Sequence, residues 1–180
     1  MEYVMKKQLS LLVVAGVLTA PVFAEDFYAG AEVGRTNVKG SGNTKDLKGH
    51  ATNVGVFAGY QFHPNAAVEV GYRDLGTVKD SDVAGAKASV KGRALHTSLV
   101  GIVPVSDEFS LYGRVGVARL SAKMTPKPAD WKETKTKPMF GIGARYAVSK
   151  EFGLRTEYTQ FGKVEGVKVS TLTFGGDYRF

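Results

Sequence analysis

From Phe27 onward the chain falls into segments of about ten residues in which every second side chain is apolar or aromatic, the period of a β-strand with two unlike faces. The first, Phe27–Val38, sets Phe27, Ala29, Ala31 and Val33 against Tyr28, Gly30, Glu32 and Gly34. The second, Ala51–Phe62, sets Val54, Val56, Ala58, Tyr60 and Phe62 against Asn53, Gly55, Gly59 and Gln61. Then follow Ala66–Val78, with Val68, Val70 and Tyr72 opposing Glu69, Gly71 and Arg73, and the less regular Val90–Val103, with Leu95, Thr97, Leu99 and Val103 opposing His96, Ser98 and Val100. Phe109–Ala122 opposes Phe109, Leu111, Val115 and Val117 to Ser110, Tyr112, Arg114 and Gly116; Pro138–Val148 opposes Phe140, Ile142, Ala144 and Tyr146 to Gly141, Gly143 and Arg145. A seventh segment turns Phe152, Leu154, Thr156 and Tyr158 away from Arg155 and Glu157, and an eighth ends with Leu172, Phe174, Gly176, Tyr178 and Phe180 opposite Thr171, Thr173, Gly175, Asp177 and Arg179. Eight strands are predicted.

The connections alternate in length. His63–Asn65, Pro104–Glu108 and Ser149–Lys150 are tight, whereas Lys39–His50, Lys79–Ser89 and Lys123–Lys137 are long and polar; Gly162–Gly166 is brief. Short turns at one end and longer loops at the other characterise barrels of the bacterial outer membrane. A soluble sandwich also alternates, but here one face carries Glu32, Glu69, Arg73, Arg114, Arg145, Arg155 and Glu157, too many charges for a soluble core. The other face bears aromatic residues near strand ends: Tyr60, Phe62, Tyr72, Phe109, Tyr146, Phe152, Tyr158, Tyr178 and Phe180. Hydrocarbon cannot satisfy an open sheet edge, so such a sheet must close. The expected fold is therefore all-β, an eight-stranded antiparallel up-and-down transmembrane β-barrel. Its lumen is only wide enough for side chains, and the charged face, on which many of the 22 glycines fall, lines it as an ion-pair network.

The N-terminus adds a destination. Lys6 and Lys7 precede the apolar run Leu9–Ala20, and Val22-Phe23-Ala24 offers a signal-peptidase site. Residues 1–24 are read as a signal peptide and 25–180 as the barrel; Met5 serves as well as Met1 for an initiator. The run is too short to span a bilayer as a helix. Cleavage removes one acid and two lysines, lowering the formal charge from +7 to +6. The absence of cysteine excludes disulfides and thiolate metal sites. Nothing matches a phosphate-binding glycine loop, a metal cluster or a nucleic-acid module, so no cofactor, metal or nucleic acid is expected. The location expected is the outer membrane of a Gram-negative bacterium.

The stretches Asn53–Pro64 (NVGVFAGYQFHP), Glu69–Gly76 (EVGYRDLG), Asp107–Gly116 (DEFSLYGRVG) and Phe140–Phe161 (FGIGARYAVSKEFGLRTEYTQF) resemble the transmembrane domain of the outer membrane protein A family, with nearly the whole mature chain covered. The resemblance implies an eight-stranded barrel plugged by ion pairs, in which a glutamate exchanges an arginine for a lysine partner. Glu69 and Arg155 match two of these positions, the lysine position falls near Val100, and Arg145 replaces a family glutamate. It further implies a barrel without the family's peptidoglycan-binding domain, as in the shorter opacity-type adhesins. The ending Tyr178-Arg179-Phe180 is similar to the signal read by the barrel-assembly machinery, with Tyr178 and Phe180 as its aromatic positions.

The expected role is structural or surface-interacting, without catalysis, as a monomer or weak dimer among outer-membrane lipids. The basic surplus lies in the loops, where Lys123, Lys127, Lys132, Lys135 and Lys137 are candidate contacts to lipopolysaccharide phosphates or to host polyanions and matrix, with Trp131 as a contact or anchor. Two alternatives compete. His96 and Ser98, two apart on one strand face, have the residue types of a base and nucleophile for a lipid A-modifying hydrolase; and the charged lumen suits a narrow, low-conductance channel.

Overall fold

The computed structural model describes residues 26–40, 48–83, 86–125, 132–164 and 167–180. They form eight strands: β1 (Phe27–Gly40), β2 (Lys48–His63), β3 (Ala66–Val83), β4 (Ala86–Pro104), β5 (Phe109–Thr125), β6 (Lys132–Ala147), β7 (Phe152–Val164) and β8 (Val167–Arg179). Each pairs antiparallel with its sequence neighbour, and β1 pairs with β8, so the sheet closes into a barrel with no free edge. Closure is what permits a sheet to stand in hydrocarbon, because every ladder N–H and C=O finds a partner within the protein.

Alternation along each strand divides the wall into two surfaces. On the outside, Val54, Val56, Tyr60 and Phe62 of β2 are exposed, as are Leu95, Leu99 and Val103 of β4, Leu111, Val115 and Val117 of β5, and Leu172, Phe174 and Tyr178 of β8. On the inside, Glu69, Arg73, Asn53, Glu157 and Thr171 are almost wholly buried. This is a soluble protein's arrangement reversed. The outward apolar band covers about nine residues per strand, near what a tilted strand needs to cross a bilayer. It ends at a ring of outward polar residues, one per strand: Arg35, Thr52, Asp74, Arg93, Arg119, Thr136, Gln160 and Ser170.

The strands begin where the pattern predicts at the end bearing the tight turns, but most continue further at the other end. Lys79–Ser89, expected as a loop, is largely ladder: Lys79 pairs with Ser89, Asp80 with Ala88, and Val83 with Ala86. Similarly, Lys123 pairs with Lys132, so β5 and β6 continue into the stretch expected as the third loop. Beyond the bilayer both faces of a strand are wet, so apolar alternation fades while hydrogen bonding continues. A β-bulge interrupts β3 between Asp74 and Gly76. Gly76 takes a positive φ of 81° that glycine adopts without strain, and its N–H donates to Asp74 Oδ1 at 3.0 Å. Trp131, Lys127 and the expected leader with its Ala24/Glu25 cleavage site lie outside the described residues.

Candidate functional site in the barrel lumen

Three layers of side chains stack along the lumen. In the middle layer, three arginines meet three glutamates. Arg73 on β3 reaches Glu32 on β1 at 2.5 Å and lies 3.6 Å from Glu157 on β7. Arg114 on β5 reaches Glu69 at 2.5 Å and Glu157 at 2.9 Å, and Arg155 on β7 reaches the same two carboxylates at 3.0 and 3.2 Å. All six side chains are buried, and their formal charges cancel.

Hydroxyls meet much of the layer's remaining capacity, although Arg114 Nε and Nη1 are buried without a hydrogen-bond partner. Arg73 donates to Thr159 and Thr171, Thr173 donates to Glu32, Thr159 to Glu157 and Tyr28 to Glu69. Removing a charge from water is expensive unless its remaining hydrogen-bonding capacity is met, and guanidinium forks bridging two acids are suited to this. Arg155 also stacks on aromatic faces, 4.2 Å from the Phe57 ring centroid and 4.8 Å from that of Tyr112, beneath an Nε hydrogen bond to Tyr112 Oη.

Toward the turn end, Arg145 on β6 leaves this network and grips Asp177 on β8 through both carboxylate oxygens, at 2.7–3.0 Å. Arg179 donates to Gln61 at 2.6 Å. A cavity of about 170 Å³ lies here, lined by Tyr28, Tyr112, Arg145, Arg155, Asp177 and Arg179 among others. Toward the loop end the lumen turns apolar: Leu75, Ala94, Ala118, Met139 and Phe161 pack together, with Leu120 and Val169 against them. The narrow bore leaves no room for side chains at some wall positions. A Cβ at Gly59 would overlap the Tyr28 ring, and one at Gly153 the Arg145 guanidinium.

Glu32, Glu69, Arg73, Arg114, Arg155 and Glu157 thus come together, while Arg145 forms a separate pair. Strand parity sets Asp177 inward, but its pairing with Arg145 follows only from the register that carries β6 past β7 to β8 around the closed barrel. The apolar layer was missed because Leu75, Met139 and Phe161 look lipid-facing by residue type, although parity sets them inside. Lys135 and Lys137 lie on β6 rather than in a loop, half-buried on the Met139 face. Lys123 and Lys132 are cross-strand neighbours. Tyr178 faces outward, its ring 5.3 Å from that of Phe180. His96 and Ser98 are buried in the lumen on β4, away from lipid, and Ser98 Oγ makes no hydrogen bond to the imidazole.

Comparison with known proteins agrees with this geometry. Residues 23–179 match the OmpA-like transmembrane domain. Outer membrane protein P5 of Haemophilus influenzae is 32% identical over 186 residues, covering 88% of this chain and 53% of that protein. Outer membrane protein A of Klebsiella pneumoniae is 28% identical, covering 91% of this chain and 54% of its own length. The chain spans about half the length of these curated relatives. Among solved structures, Neisserial surface protein A superposes with a TM-score of 0.66 at 17% identity, covering 86% of this chain and 97% of that one. Ail of Yersinia pestis superposes with a TM-score of 0.57 at 20% identity, covering 86% and 99%. A closed eight-stranded barrel with an apolar belt and a charged lumen, matched along nearly its whole length, places this chain in the family of OmpA-like transmembrane domains, an outer-membrane protein of Gram-negative bacteria.

Proposed function

We propose that the barrel is a structural and surface-exposed element of the outer membrane whose lumen is plugged, and that it catalyses no reaction. The observation that carries this reading is the neutral middle layer, in which three arginines and three glutamates are buried and paired, backed by the apolar layer toward the loop end. An ion crossing the bore has to break these pairs and then pass a belt of hydrocarbon side chains. Purified barrel in planar bilayers is expected to give no discrete conductance steps. Regular, salt-dependent steps from the folded monomer would remove the plug and leave the narrow channel. The glutamate that changes partners is not part of this reading, since Val100 offers no cation where the family's lysine falls.

The expected leader, residues 1–24, belongs to the same reading, with a mature chain starting at Glu25 and found by N-terminal sequencing. Tyr178 and Phe180 are proposed as the aromatic positions read by the barrel-assembly machinery. At the loop end, Lys123, Lys127, Lys132, Lys135 and Lys137 are proposed to meet lipopolysaccharide phosphates or host polyanions. Ail has been crystallised with the heparin analogue sucrose octasulfate, which suggests that compound as the probe. Binding that weakens as salt rises, and that falls on replacing these lysines, supports the adhesive role; no binding at low ionic strength ends it.

A further inference from the structure

The turn end of the lumen holds a positive charge that its neighbours do not cancel. Asp177 and Arg179 share the inner face of β8, two residues and so about 6.5–7 Å apart along the strand. Arg145 reaches over Gly153 of β7, where a Cβ would overlap its guanidinium, to Asp177 on the far side. The register thus brings two arginines to one carboxylate. Asp177 is held by Arg145, which takes it with Nε and Nη2 and keeps Nη1. Arg179 is left with a neutral partner, the amide oxygen of Gln61 at 2.6 Å, and forms no salt bridge among the described residues. That contact takes one of the five N–H donors of its guanidinium.

The other charges around the turn-end cavity are already engaged. Glu69, at its inner end, receives Arg114, Arg155 and the Tyr28 hydroxyl, and Arg155 gives its remaining donors to Tyr112 and Glu157. Over Arg145, Arg155, Arg179, Glu69 and Asp177 the lining carries a formal charge of +1. Much of the remaining wall is apolar: Tyr28, Val100 and Tyr112 belong to one buried cluster, with Ile102 packed against it. Ser110, the cross-strand neighbour of Arg145, adds a hydroxyl at the part-exposed rim. The volume of about 170 Å³ is close to the roughly 150 Å³ in which an engineered protein cavity holds benzene.

We propose that this turn-end pocket binds a small organic carboxylate, its anion on Arg179 and on Nη1 of Arg145 and its compact apolar body against Val100, Ile102 and Tyr112. An arginine whose partner is a neutral amide gains from an anion, because charge-assisted hydrogen bonds are about twice as strong as neutral ones. An inorganic anion satisfies the arginine but leaves the apolar wall wet, and a cation is opposed by the surplus charge. Selectivity therefore needs both halves of the pocket, and each half can be removed separately. The site goes beyond the plugged-barrel reading and does not depend on it.

The test titrates the folded full-length barrel in detergent with sodium benzoate at constant ionic strength, reading heat by calorimetry and the arginine Nε–H signals by NMR. Saturable one-to-one binding that moves the Arg145 and Arg179 signals is expected, with benzamide and inorganic phosphate each about tenfold weaker or more. Arg179→Gln removes the surplus charge and is expected to lose about tenfold in affinity, while Arg35→Gln, an outward arginine on β1, stays within about twofold. Ile102→Trp, which fills the cavity and leaves every charge in place, is expected to abolish saturable binding. Heat-modifiable electrophoretic mobility verifies that each variant is folded; should Arg179→Gln not fold, the contrast between benzoate and benzamide on the parent decides alone. Benzamide or phosphate binding as well as benzoate, an unaffected Arg179→Gln, or saturation persisting in Ile102→Trp would overturn the assignment.

Discussion

At mid-height in β3, Glu69 and Val70 are chain neighbours with opposite surroundings. Glu69 is 1% exposed and touches Arg114, Arg155 and Tyr28, whereas Val70 is 53% exposed on the wall. The pair shows how the two sides of a thin barrel are stabilised by different physics. The wall gains from closure of the ladder and from matching its apolar band to the acyl chains, so a substitution there is felt by depth. The charged layer of the lumen gains from mutual satisfaction of its charges, so a substitution there is felt by which partners are left behind. Changes that take away one charge inside, or bring one in outside, sharpen the contrast.

The largest effect is expected from Glu157→Ala. This carboxylate is shared by Arg114 at 2.9 Å, Arg155 at 3.2 Å and Arg73 at 3.6 Å, so its loss leaves a buried layer with a net positive charge and unsatisfied guanidinium groups. Breaking a buried pair from one side typically costs about 3–5 kcal/mol. Urea unfolding of the vesicle-inserted barrel, followed by tryptophan fluorescence or mobility shift, measures it; a cost under about 1 kcal/mol would mean that the lumen is hydrated enough to screen these charges.

Next in size is Leu99→Arg, at the centre of the outward band of β4. A cation at the bilayer midplane costs about 2–4 kcal/mol in a barrel wall, falling toward zero near the interface. Ser170→Arg, in the polar ring on β8, is therefore expected to be within about 1 kcal/mol of the parent. The same unfolding titration on both variants checks the depth gradient. Equal costs would show that the polar ring does not mark the bilayer's edge.

Much of this contrast is legible in the chain itself. The two-residue period assigned the faces of Val54, Val56, Glu69 and Arg73 because each lies where one side of the wall meets hydrocarbon and the other does not. The period failed where that difference vanishes. Past Arg93 and Arg119 both faces are wet, so the long outer ends of β3, β4 and β5 carry no alternation and read as loop. Inside, Phe57, Leu75, Met139 and Phe161 conflict with the rule that lumen residues are polar. Phe57 is needed there as a stacking surface for Arg155, and the other three as an apolar layer above the charges. Which acid each arginine takes depends on register around the closed barrel, which strand patterns alone do not determine. Arg145 illustrates this, since its partner sits two strands away on β8.

That pair supplies the smallest expected effect and separates the two halves of the lumen. Arg145 is 21% exposed at the side chain beside the turn-end cavity, while Asp177 is 2% exposed. Arg145→Gln keeps a donor in reach of Asp177 and leaves the remaining carboxylate near water that can enter from the cavity mouth, so about 1 kcal/mol is the expected cost. Asp177→Asn leaves the more exposed partner, Arg145, which can turn to solvent, and is expected to cost no more. The two changes together are expected to cost less than the sum of the single ones, because each single change already removes the shared interaction. Unfolding titrations of the two singles and the double measure that difference. A cost near that of Glu157→Ala would mean that water does not reach this layer, and the distinction between a wet turn end and a dry middle would fall.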